Sequence, residues 1–405
     1  MNLDRFIFFL VCLLAFTINL ENFFNVFFGI NTPFELYRLI ALALIVLLLV
    51  QKHHRRRWDK ADRLIFFVFS WGAMMAIIRF LFAFVNIEAM AVNYILFGIN
   101  FFMFYSLKNF SWTLSRSSVV ILWYNAGLLA NLLHFQVIGV ETGPNVDFAR
   151  AAGFFSNPNS LALACLFGIL GCFFVFICSS KAWMRYLSVV FFLIDFYVLN
   201  QTSSRAGAII AGLLLLLITI WYYYTQRRIV SRFVMVTTVV LVYLFSGSFT
   251  IGALERQRSR EDRQVKEERE ALTQAGLDAF VDTKFMGLGL GQFKEINNFY
   301  KYVYPYNAGI ANVRRQKNEG LVTHNSYIQI LAEIGAVGFF ALIGFWFSVL
   351  SRAINNRKIN RHFFFFQIGI IGIGIIYSIG HVIYLAPNLW FCLSFIFPLK
   401  LYKDR

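Results

Sequence analysis

Charge is scarce in this 405-residue chain: Asp, Glu, Lys and Arg together make up 14% of it, against 59% hydrophobic residues. That balance excludes a soluble globular protein of this length and fits a chain whose helices cross a bilayer. Acidic residues are the scarcer sign, 21 against 37 basic ones, for a formal net charge of +16. The excess lies mostly in short loops between apolar runs, where cytoplasmic loops carry it, and this placement argues against nucleic acid as a partner. Cysteine is missing from the polar loops, because Cys12, Cys165, Cys172, Cys178 and Cys392 all fall within apolar runs. Neither a disulfide framework nor a Cys-based metal site follows. No carboxylate stands at metal spacing from the histidines, which speaks against zinc. No small-residue cleavage site follows the first apolar run, so it reads as a retained membrane helix.

Phenylalanine is abundant, with 49 residues, as lipid-facing helices require. About twelve apolar runs approach the length needed to span a bilayer. They lie near 5–27, 34–51, 63–86, 90–107, 117–139, 159–179, 183–200, 205–224, 230–250, 325–350, 362–383 and 386–402. The expected fold is an all-α polytopic membrane protein. Helices 1–9 occupy 1–250, a large, partly helical loop occupies 251–324, and helices 10–12 occupy 325–405. With this count the basic stretch 52–63, Lys108, Arg116, Lys181, Arg185, Arg227, Arg228, Arg232, Arg352, Arg357, Lys358, Arg361 and both termini share one side. The positive-inside rule makes that side cytoplasmic.

The opposite side holds the unusual sequence. Segment 251–323 carries twelve Lys/Arg and ten Asp/Glu, and its length is compatible with translocation because long loops cross largely regardless of charge. A helix is expected near 255–282, with Arg269, Leu272, Gly276 and Phe280 on one stripe that packs inward. An arginine on a packed face needs a buried anionic partner, from the protein or a ligand. Next come Gly287, Gly289 and Gly291, whose backbone N–H groups could face an anion; the plainer reading is a tight turn returning to the membrane. No βαβ unit surrounds them, so they are not a dinucleotide fingerprint. Arg205 follows Thr202-Ser203-Ser204 and is either a snorkelling arginine or a phosphate fork with the hydroxyls as added donors. Asn157-Pro158-Asn159 is a helix-start signal. Arg79 and Asp195 are intramembrane charges, functional candidates by default.

His324 opens the stretch 320–338, where the polar segment gives way to a hydrophobic helix. At about 100° per residue, Tyr327, Ile328, Leu331, Gly335 and Gly338 would share its face, with the glycines admitting a close neighbour. Glu333 falls roughly opposite, about 13 Å deeper, and is no obvious partner. The bland alternative is an interfacial histidine, as for His134 and His381. Taken together, one outer face gathers Arg205, Arg269, a glycine turn and His324. Two cations, backbone donors and a base that titrates near neutrality suit a diphosphate ligand and a proton to be removed.

The same residues carry a family resemblance. His324-Asn325, nine residues, Gly335, two residues and Gly338 resemble the histidine pattern of the O-antigen ligase and polymerase superfamily. Arg269 with the downstream glycines, Thr202-Ser203-Ser204-Arg205, and the segment from Gly153 to Asn159 are similar to its other signatures, while Thr283-Lys284 stands where many relatives have proline. The resemblance implies a GT-C-like membrane fold and an active site on the periplasmic face of the bacterial inner membrane. It also implies metal-independent, cofactor-free, inverting transfer of a glycan from undecaprenyl diphosphate. The acceptor is lipid A–core for a ligase and a second lipid-linked repeat unit for a polymerase. On that reading His324, Arg269 and Arg205 are catalytic, and Asn325, Gly287, Gly289, Gly291, Asn157 and Asn159 bind substrate. A lipid-linked oligosaccharide flippase stays open as another class, although no clear internal repeat is visible and the informative charges lie at the outer boundary rather than the bilayer midplane.

Overall fold

The computed structural model describes residues 3–28, 35–50, 58–82, 87–110, 112–138, 152–155, 157–226, 260–318, 320–358 and 360–396. The expected span 230–250, the first residues of the helix expected from 255, Asp147, Arg150 and the Arg79 side chain lie outside them. Every regular element described is helical. In chain order these are α1 (Leu3–Thr17), α2 (Phe23–Phe28), α3 (Leu36–Val50), α4 (Lys60–Phe82), α5 (Ile87–Lys108), α6 (Leu114–Ile138), α7 (Pro158–Cys178), α8 (Ala182–Gln201) and α9 (Arg205–Gln226). After the excluded segment follow α10 (Arg260–Asp282), α11 (Ile296–Val303), α12 (Ala308–Gln316), α13 (Ser326–Asn356), α14 (Arg361–Gly380) and α15 (Pro387–Leu393).

Among the described residues, 7 helices are long and apolar enough to cross a membrane. The first expected span is divided. α1 stops at Thr17, and a turn precedes α2. The turn is tied down by Asn19, whose side-chain amide donates to the Tyr124 carbonyl at 2.8 Å, and by the Asn22 N–H, which donates to the Phe154 carbonyl at 2.8 Å. The last expected span likewise begins with a seven-residue helix and a short 3-10 turn at Ser394–Ile396.

Asparagine sets three of the long helix starts. Asn157, Asn325 and Asn360 each accept two backbone N–H bonds from the first turn of α7, α13 and α14, satisfying donors that have no partner within the helix. Pro158 adds a first-turn residue already set for helical φ. α7 is the central helix, buried from Leu161 to Cys172 and packed by α6, α8, α9 and α14. Phe9, Phe67, Phe340 and Phe347 project outward, as an apolar solvent permits.

The two ends differ in chemistry. At one, Lys108 is 4% exposed and pairs with Asp59 at 3.0 Å and with Asp62, while Arg352 approaches Asp59 at 3.9 Å. These are residues of the loops expected to share one side. The other end is joined by a chain of contacts. Tyr377 donates to the Asn159 carbonyl at 2.7 Å and stacks on His381 at 4.7 Å. The Ser326 hydroxyl donates to the His381 carbonyl at 2.7 Å. Gly207 lies against Ala162 of α7. The starts of α7, α9 and α13 and the end of α14 therefore meet at one end of the bundle.

Candidate active site

α13 is broken within its apolar run. Gly335 has φ 75° and ψ −170°, outside any helical geometry, and it lies nine residues past Ser326, about 13 Å along the helix. The residues at the break are buried in the protein, so its freed carbonyls and N–H groups need partners. The segment after α10 enters and supplies the partners. Leu288 and Gly289 N–H groups donate to the Ala332 and Glu333 carbonyls, both at 2.8 Å, and Ala336 N–H donates to the Phe285 carbonyl at 2.9 Å. Trp71 of α4 donates to the Ile334 carbonyl at 3.2 Å. The glycine segment thus fills the break, and Gly287 sits so close that a β-carbon there would stand 2.5 Å from the Glu333 carbonyl oxygen.

These bonds change the expected role of the glycines. Gly287 N–H donates to the Thr283 hydroxyl at 3.0 Å and Gly289 N–H to the backbone of α13. Gly291 N–H does face an anion, but that anion is the buried carboxylate of Glu333. The close neighbour admitted by Gly335 is likewise this loop rather than a helix.

His324 stands outside α13, which begins two residues later. Its φ of 56° is left-handed, a conformation uncommon for a side-chain-bearing residue and concentrated at functional sites. The expected helical face therefore does not extend to it. Its neighbours hold the turn. Thr323 N–H donates to Gln329 Oε1 at 2.8 Å, the Thr323 hydroxyl donates to the Asn325 carbonyl at 2.8 Å, and Asn325 caps α13.

α10 covers this turn. Gly276 lies against Ile328 and Thr323, and Leu272, Ala275 and Ala279 are buried beneath the same helix. Arg269 shares the stripe but is exposed, which corrects its expected burial. Arg269 stands seven residues, about two turns, before Gly276 on that stripe. The inference of a buried anionic partner falls with the expected burial. What remains is a cation beside the imidazole.

A second cation, not singled out in the sequence, comes from α12. Arg314 is half-buried. Burial, Arg269 and Arg314 together lower the His324 pKa to about 4. Glu268 feels both arginines too, although burial dominates and raises its pKa. His324 is therefore neutral at physiological pH, and below about pH 6.5 the unfolded chain takes up a proton that the native imidazole refuses until about pH 4. Native stability falls as pH drops through that window. Arg314→Gln is expected to move the imidazole transition upward, read from the pH dependence of His324 carbethoxylation in the purified protein. The only signal for Arg314 in the sequence was its place in a stretch rich in Tyr, Asn and basic residues.

Arg205 is exposed and opens α9, at the end that holds Asn159 and Ser326. The Thr202 hydroxyl donates to the Leu199 carbonyl at 2.7 Å and accepts from Ser204 N–H, and Ser204 Oγ accepts from Gly207 N–H. Those two hydroxyls shape the turn. Asn157 has its carbonyl oxygen engaged in the α7 cap, and the Asn159 backbone receives Tyr377. His381 joins the Ser326 neighbourhood, while His134 packs on Phe154 at 4.7 Å. Asp195 is fully buried between α6, α7 and α8, with the Cys172 thiol donating at 3.9 Å.

No curated protein matches the chain. A family model does, and its matched stretch, running from inside α8 to inside α13, takes in Arg205, Arg269, the glycine segment, Arg314 and His324 but not Asn157 or Asn159. Over residues 189–343 the chain matches the family described as O-antigen ligase (Wzy_C), and that stretch is O-antigen ligase-like.

Proposed function

We propose that the protein is a glycosyltransferase that moves a glycan from undecaprenyl diphosphate to lipid A–core on the periplasmic face of the inner membrane. The observation that carries this reading is the neutral imidazole of His324 flanked by Arg269 and Arg314 at the mouth of a broken membrane helix. The donor diphosphate lies against Arg269, with Arg205 as the second expected cation and Arg314 beside them. The acceptor hydroxyl attacks the anomeric carbon, the carbon–oxygen bond to the diphosphate breaks, and undecaprenyl diphosphate leaves with its new negative charge held by guanidinium groups. The acceptor proton passes to His324. A diphosphate beside the arginines offsets their charge and raises the proton affinity of the imidazole, so base strength develops when the donor is bound. The transfer inverts the anomeric centre and uses neither a metal nor a cofactor.

Polymerisation is the second reading, because the same donor grip serves an acceptor that is itself a lipid-linked repeat unit. Purified protein with undecaprenyl-diphosphate glycan and lipid A–core, without metal or nucleotide sugar, separates them. Glycan on lipid A–core is the expected product. Longer lipid-linked glycan with untouched core identifies a polymerase, and no product from a folded protein turns attention to lipid-linked glycan transport.

A further inference from the structure

We propose that Glu333 is a positioning residue that locks the glycine segment and, through Gln329, the turn presenting His324; its effect on transfer rests on the reaction proposed above. Glu333 is 1% exposed, on the last turn of α13 before the break. It does not touch His324. Its carboxylate collects four donors from three parts of the chain. Gln329 Nε2 reaches Oε1 at 2.8 Å and Phe293 N–H reaches the same oxygen at 3.3 Å. Tyr384, beyond α14, donates to Oε2 at 2.9 Å, and Gly291 N–H completes the set.

Three of the four partners, the Gln329 NH2 and the Phe293 and Gly291 N–H groups, can only donate, so the site favours a group that accepts. An amide would turn its NH2 either toward Gln329 and Phe293 or toward Tyr384, which would then have to accept. Gln329 then passes the constraint outward. Its Oε1 accepts Thr323 N–H at 2.8 Å, which leaves its NH2 for Glu333 and fixes the amide orientation. One continuous path runs from the glycine segment through Glu333 and Gln329 to the residue before His324. The left-handed φ of His324 is unfavourable in isolation, and such conformations persist where neighbouring bonds over-determine them. Thr323 is held at N–H by Gln329 and at its hydroxyl by Asn325, so loosening Gln329 releases one of the two ties beside the imidazole.

The test uses the full-length protein in detergent and diethyl pyrocarbonate as the probe, with modification of the His324 peptide quantified by mass spectrometry at neutral pH. There the imidazole is unprotonated, and the rate reports access. Gln329→Leu removes the link while leaving Glu333 its other three donors; Glu333→Gln keeps volume and removes the acceptor-only group. Each is expected to raise His324 modification about fivefold, the scale of one buried hydrogen bond, and the double variant to add little more because both cut one path. His362, at the opposite end of the bundle, is expected to keep its rate, which a general loosening of the protein would not allow. In the transfer assay with undecaprenyl-diphosphate glycan, kcat falls and the donor KM holds. Unchanged His324 modification in Gln329→Leu overturns the proposal, even if Glu333→Gln fails to fold. Raised modification at His324 alone supports it whatever the transfer assay gives, and a wild-type protein inert toward every acceptor then counts against the reaction, not against the positioning.

Discussion

His324→Asn is expected to lower glycan transfer about a thousandfold, and Arg269→Ala by a comparable factor, with membrane insertion and detergent-extracted yield unchanged. Asparagine is the informative substitution at 324 because it tolerates the left-handed region that the native turn demands, φ 56°, whereas alanine adds backbone strain to the loss of the imidazole. Arg269 is exposed, so its removal leaves no cavity and no buried carboxylate without a partner. A loss of transfer in that variant therefore reports chemistry rather than folding. The measurement is product formed per folded enzyme from undecaprenyl-diphosphate glycan, with donor binding followed separately. Full transfer by Arg269→Ala would falsify the diphosphate assignment. If His324→Asn keeps most of its transfer while Arg269→Ala does not, positioning and leaving-group stabilisation suffice and no formal base is needed.

Gly335→Ala is expected to cost about 3–5 kcal/mol of stability and to abolish transfer with it. The backbone there, φ 75° and ψ −170°, is open essentially to glycine alone, and a β-carbon would enter the Phe285 and Met286 carbonyl region. Alanine also favours closing the gap into continuous helix. Closure would detach Leu288, Gly289 and Ala336 from their partners in the opposing segment and displace the glycine segment from the break. Gly287→Ala is expected to act similarly, since its β-carbon would stand 2.6 Å from the Glu333 carbonyl carbon and 2.7 Å from the Gly335 nitrogen. Gly372→Ala is the control. It lies in α14 with no neighbour within 4 Å, and a helical glycine replaced by alanine gains up to about 1 kcal/mol. Thermal unfolding in detergent, with tryptic cleavage at Lys284 as a probe of the glycine segment, separates the three. A cooperative, wild-type transition in Gly335→Ala would show that the break is not required.

Much of the architecture was legible because membrane helices declare themselves in long apolar runs. The runs near 90–107, 117–139, 159–179, 183–200, 205–224, 325–350 and 362–383 correspond to the 7 helices able to cross a membrane. The asparagine starts at 157, 325 and 360 are local chemistry and follow the chain directly. Less visible was the division of the first run, because Asn19 and Asn22 act through distant partners, Tyr124 and Phe154.

At the site, the identity of His324 and its neighbours was readable as a motif, and its geometry was not. Periodicity assumes one uninterrupted helix, and both ends of that assumption fail here. The helix begins after His324, and Gly335 breaks it. Arg269 lay on the apolar stripe of α10 as expected, yet stripe membership says nothing about where the facing helix ends. Glu333 stood on the far side of α13 from the histidine and so appeared unrelated, while the relay through Gln329 spans four residues and then turns back to Thr323. Composition and periodicity determined that this chain is helical, with helices long and apolar enough to cross a membrane, because apolar runs and caps depend on residues close in sequence. The break at Gly335, the glycine segment that fills it and the approach of Arg269 and Arg314 to a neutral His324 were decided only in three dimensions. Each depends on a partner tens of residues away, and no local pattern specifies which backbone will arrive to fill a broken helix.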